Sequence, residues 1–174
     1  MNIKQTLIIL FMLVIGYSAS MSNRVRSSNN NYHVSMDDDK LFINDSRIKK
    51  AVEEFVKDAS DRGLDKSLVE NYIKKLDHIY ISSELSDDEL GVISIGDTSY
   101  ILINRDKVKS YVDLKLIIYH ELGHWFGLDH SGGKLMESIR PSINLSEWDS
   151  YVSELMTNIN RLIIENKTIK PYRE

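Results

Sequence analysis

Residues 111–136 read YVDLKLIIYHELGHWFGLDHSGGKLM. Leu114, Ile117, Ile118 and Leu122 recur at helical spacing, which predicts a helix between Ser110 and Phe126, with Gly127 as its natural stop. Residues four apart on a helix differ by about 40° in azimuth and one turn in height. His120 and His124 therefore project together and can grip one ion. A straight helix cannot carry residue 130 to the same place. Gly127 can adopt a left-handed conformation at low cost, so the chain can turn back there and bring in His130. Three neutral imidazoles suit zinc and leave a fourth coordination position for water. Glu121 follows the first ligand and points toward the open side. Because zinc lowers the pKa of water to about 7, a carboxylate there can take the proton. The five-position pattern HExxHxxGxxH arises from composition alone in roughly one chain in 10⁵.

Working outward, Asp45 or Ser46 can cap a helix whose Ile48, Val52, Phe55, Val56 and Ala59 share a face, ending at Gly63. A second helical stretch, about 66–76, sets Leu68, Tyr72, Ile73 and Leu76 at helical spacing. Strand-like segments follow at 78–82, 92–95 and 100–104, the last two flanking Gly96-Asp97-Thr98-Ser99 as a hairpin. A final helix is expected from Ser146, with Asp149 three residues on as a variant capping box. Its stripe is Trp148, Val152, Leu155, Ile159 and Leu162. Helices and strands in this order predict an α+β domain.

The chain has 174 residues, 42% of them hydrophobic, which is enough for one domain with a core and excludes collagen-like or wholly disordered classes. It contains no cysteine, so disulfides, thiolate metal sites and cysteine nucleophiles are excluded. A net charge of −4 gives no reason to expect a nucleic-acid partner. Residues 1–20 read as a signal peptide: Lys4, an apolar run from Leu7 to Ile15, then Ser18-Ala19-Ser20 as a cleavage site. That run is shorter than the roughly 20 apolar residues needed to span a bilayer, so no stable membrane span is expected after cleavage. Export, to the extracellular space or a periplasm, follows as the expected localisation. Residues 21–40, rich in Asn and Ser, read as a flexible leader or short pro-segment, which leaves 41–174 as the catalytic domain. A monomer is the expected state.

HELGHWFGLDHS, residues 120–131, resembles the metzincin clan of zinc endopeptidases and looks most like its matrixin (matrix metalloproteinase) branch. Met136, six residues after His130, resembles the methionine of that clan's Met-turn beneath the zinc. The resemblance is specific over residues 98–140. It implies a zincin-like fold: a small mixed, twisted sheet, an active-site helix, a Met-turn and a C-terminal helix. It also implies His120, His124 and His130 as zinc ligands, Glu121 as the catalytic residue, and Gly127 and Met136 in support. The chain departs from the clan in places. Ser138 stands where astacins and serralysins carry a zinc-binding tyrosine, and Glu137-Ser138-Ile139-Arg140-Pro141 differs from the matrixin specificity segment. No match to the matrixin structural-zinc or calcium loops is present. A calcium ion at Glu84–Glu89 is possible but unsupported, and that acidic stretch reads as a solvated turn. A matrixin-like cysteine latch cannot exist here. Asp37-Asp38-Asp39 is either a solvated run or a carboxylate substitute for it.

These readings predict a secreted zinc-dependent endopeptidase, one zinc ion per chain, acting on protein or peptide substrates. Two other classes remain open: a secreted, non-catalytic binding protein stabilised by zinc, and a zinc hydrolase of non-peptide substrates. Trp125 and Phe126 are expected in the core or cleft wall, His33 and His78 as ordinary histidines, and Asp129 either beside the site or in an exposed turn.

Overall fold

The computed structural model describes residues 42–137, 144–165 and 171. The expected signal segment, the leader with His33 and Asp37–Asp39, and positions Ser138–Pro141 lie outside the described residues. Strand β1 (Phe42–Ile43) leads into helix α1 (Ser46–Asp61) and helix α2 (Lys66–Ile73). Strands β2 (His78–Ser82), β3 (Gly91–Ser94) and β4 (Tyr100–Asn104) follow, then helix α3 (Tyr111–Trp125) and helix α4 (Trp148–Glu165). The architecture is α+β with one small mixed sheet of order β1-β2-β4-β3. The two pairings among β1, β2 and β4 are parallel, and β3 is antiparallel to β4, as the hairpin reading requires.

Local chemistry accounts for most of the boundaries. Asp45 caps α1, its carboxylate accepting from the Arg47 N–H, and Ser110 caps α3, its hydroxyl accepting from the Asp113 N–H. Helix α1 buries Ile48, Val52, Phe55, Val56 and Ala59 as expected, with Ala51 added to the same face. In α2 the expected stripe shifts by one residue: Leu68 is 37% exposed while Val69 is buried. Val69, Tyr72, Ile73 and Leu76 form the complete i, i+3, i+4, i+7 face, and Leu68 is left on its margin. The expected cap at Ser146 is also corrected. Asn144 accepts from the Ser146 N–H and hydroxyl to cap a short 3₁₀ turn, and Asp149 pairs with Arg62 on α1 instead. Strand β1 was not expected at all.

The core is one cluster of sheet residues (Ile43, Ile79, Ile101, Ile103) and the buried faces of α1, α2, α3 and α4, with α1 packed on α3, on α2 and on β1. From Leu116 to Trp125 every residue of α3 is buried, so the helix is enclosed rather than half-exposed. Phe55 of α1 meets Tyr119 edge-on at 5.1 Å and stacks on Phe126 at 5.9 Å. The Trp125 indole N–H donates to the Tyr72 carbonyl at 3.0 Å. Polar contacts fix the same helix laterally. The Tyr119 hydroxyl donates to Asp58 at 2.6 Å, and Lys115 pairs with Glu54 at 2.7 Å. Burial first, then Asp58, pushes the Tyr119 phenol well above its ordinary pKa, so it remains a donor. Arg62 spans Asp58 on its own helix and Ser153 on α4. The half of α3 that carries the histidine motif, Leu116 to Trp125, is thus fixed by both apolar and polar contacts.

Candidate metal centre

His120 and His124 lie one turn apart near the end of α3, which stops as predicted. Gly127 has φ +96°, and the Leu128 N–H reaches back to the Gly123 carbonyl at 3.0 Å. This Schellman-type turn reverses the chain. It brings His130 to the two helical histidines, with ring centroids 5.5 Å from His120 and 4.8 Å from His124. Potential ligand atoms of the three side chains lie within 4.8 Å of one another. Among the described residues this is the group of histidine, aspartate or glutamate side chains able to hold a metal ion.

The turn does a second job. His124 Nδ1 lies 2.7 Å from the Leu128 carbonyl, and His120 Nδ1 lies 2.7 Å from the Leu135 carbonyl. A carbonyl can only accept, so both Nδ1 atoms carry the proton. The two Nε2 atoms then face each other at 3.0 Å, each with a lone pair inward. Two acceptors at that distance repel unless a cation lies against both. Burial holds His124 below its ordinary pKa and favours the neutral imidazole that a metal requires. The donor set therefore fits zinc: three imidazoles, two of them oriented by backbone carbonyls as outer-shell partners.

Below the site, Met136 is fully buried in a 3₁₀ turn at Lys134–Met136, against the helix backbone at Gly123. A Cβ on Gly123 would lie 2.3 Å from Met136 Sδ and 3.3 Å from Leu155 Cδ1. Gly123 is thus a glycine because the methionine seats on it, between the turns carrying His120 and His124. Gly123→Ala should destabilise the fold by about 1–3 kcal/mol through this overpacking. Thermal unfolding midpoints of the two proteins check that figure.

Glu121 is 3% exposed, and its side chain packs against the inner face of β3 at Gly91. Among the described residues strand β3 is an edge strand, paired with β4 alone. The Asn104 N–H donates to the Leu90 carbonyl at 2.9 Å, so 90 and 104 form a hydrogen-bonded pair. By antiparallel alternation 92 and 94 also bond inward, while Gly91 and Ile93 turn their N–H and C=O groups to the open edge. The strand expected at 92–95 is present one residue earlier, at Gly91–Ser94.

Several supports carried no signal in the sequence. Gly133 (φ +113°) packs on Glu154 of α4, whose carboxylate accepts the Lys134 N–H at 3.0 Å. Asn158 donates to the Gly132 carbonyl at 2.8 Å. Together they tie the segment after His130 to the last helix. Asn104, 2% exposed, donates to the Ser86 and Glu89 carbonyls at 2.8 Å and fixes the acidic 84–89 loop beside β3. The acidic side chains of that loop are largely exposed, and Glu89 accepts from Ser86. Asp129 sits in an exposed turn, where the Ser131 hydroxyl holds its carboxyl below the usual range. Trp125 and Phe126 are core residues, and His78 is a half-buried strand residue beside Tyr80. Among the described residues no helix is long and apolar enough to cross a membrane. No protein-family model, curated protein or solved structure matches the chain.

Proposed function

We propose that this protein is an exported zinc-dependent endopeptidase of metzincin type. The observation that carries the reading is the convergence of His120, His124 and His130 with a buried glutamate beside them and an open strand edge alongside. The Met136 seat under Gly123 and the antiparallel edge on an otherwise parallel sheet support the metzincin resemblance.

His120, His124 and His130 would hold the ion. When bound, zinc supplies Lewis acidity, polarising a carbonyl oxygen and acidifying water. An extended peptide adds to the edge of β3 through the outward groups of Gly91 and Ile93, a β-augmentation that sets its register. Glu121 accepts a proton from the attacking water as the water oxygen bonds to the scissile carbon. It returns that proton to the nitrogen as the C–N bond breaks. Base becomes acid, and the glutamate ends ionised as it began. The chain's own contribution is to hold the carboxylate, the peptide and the ion in fixed relation.

The test uses purified protein and casein. About one zinc per chain is expected, with cleavage abolished by chelator and restored by added zinc. Zinc binding without cleavage of casein or of a peptide library would favour the binding-protein class. Hydrolysis confined to ester or acylamide probes would favour the non-peptide hydrolase.

A further inference from the structure

Resting on Glu121 as the base, we propose that Gly91 is a positioning residue: its missing side chain sets where the Glu121 carboxylate sits beside the open edge of β3. A glycine inside a strand weakens it, since β-branched residues fit the pleat better. Its presence therefore needs a reason. Backbone conformation does not supply one. Positive φ occurs at Gly63, Gly127 and Gly133, whereas Gly91 lies in regular register opposite Ile103.

The reason lies on the strand's inner face. A Cβ at residue 91 would stand 2.6 Å from Glu121 Oε1, 2.9 Å from Cδ and 3.0 Å from Cγ. Real Cβ atoms do not come so close to heavy atoms, so the carboxylate occupies the volume that any other residue would fill. The overlap falls on the far end of a flexible side chain rather than on backbone. An alanine there is accommodated by moving the carboxylate, not by opening the strand. The same residue turns its N–H and C=O to the open edge. Gly91 thus touches the base with one face and meets a bound peptide with its backbone, so the register of the peptide and the position of the base are set at one residue.

Gly91→Ala should keep its zinc and its unfolding midpoint. Its kcat on a fluorogenic peptide should fall about 100-fold, as for a misplacement of roughly 1 Å. KM should stay within about twofold, since edge pairing is intact. A crystal structure of the variant should show the Glu121 carboxylate displaced. The second arm is coupling. Glu121→Ala removes every side-chain atom the new Cβ would meet, so adding Gly91→Ala to it should change the residual kcat by less than about twofold. Unchanged kcat in Gly91→Ala, an equal loss in both backgrounds, or an unmoved carboxylate would each overturn the proposal. If the wild-type protein cleaves no peptide, the endopeptidase reading falls. The carboxylate's position in the two crystal structures still decides the role of Gly91.

Discussion

Glu121→Gln should retain about one zinc per chain and lose about 10²–10⁴-fold in kcat, the usual worth of a positioned general base. Glutamine has nearly the same shape, so it keeps the packing against Gly91 and the 3% exposure of the native side chain. What it loses is the capacity to take a proton from water and hand it to the departing nitrogen. His120 and His124 on either side keep their backbone carbonyl partners, Leu135 and Leu128, because neither contact passes through residue 121. Loss of turnover with the metal retained therefore separates base chemistry from metal binding. Peptide turnover and metal content, measured on the same preparation, decide it. Undiminished cleavage in the variant would remove Glu121 from the mechanism.

Metal removal should lower the unfolding midpoint by on the order of 10 °C, for two reasons. An ion that binds only the folded chain stabilises it by about 4 kcal/mol at a free concentration a thousand times its Kd. For a domain of this size that corresponds to a shift of this order. The chain also has its own source of sensitivity: the ion would tie the His130 turn to two helical histidines whose Nε2 atoms lie 3.0 Å apart inside the core. His130 sits on a turn, half-buried, and adds the third ligand from outside the helix. His130→Ala should abolish most of the zinc-dependent shift and leave the metal-free midpoint nearly unchanged. Calorimetry with and without chelator measures both. Identical midpoints for the wild-type protein under the two conditions would show that the three histidines do not hold zinc.

The centre was legible because its grammar is local. His120, His124 and the stop at Gly127 depend on helix pitch and on one left-handed residue, both readable within a dozen positions. The hairpin at 91–104 was legible for the same reason. What the sequence hid depends on contact across distance. Strand β1 is two residues long and exists through its pairing with β2, more than thirty residues on. The shift from Leu68 to Val69 was decided by the face α2 turns to the core, where two overlapping periodicities competed. Gly91 and Gly123 look like ordinary small residues until Glu121 and Met136 are seen occupying the space beside them. No local pattern could have announced that either glycine is a seat. The Asn144 cap was masked by Ser146, which also has a hydroxyl suited to capping.

The bonds from Lys134 to Glu154 and from Asn158 to Gly132 bridge 20 and 26 residues. Their consequence concerns portability. Residues 111–136 contain the three clustered histidines and the glutamate, yet they do not form a self-sufficient cassette. Grafted into another scaffold, they would arrive with their imidazoles but without the carboxylate and amide that anchor the returning loop. The familiar motif is a quotation from a longer sentence, and its last clause is written in the C-terminal helix.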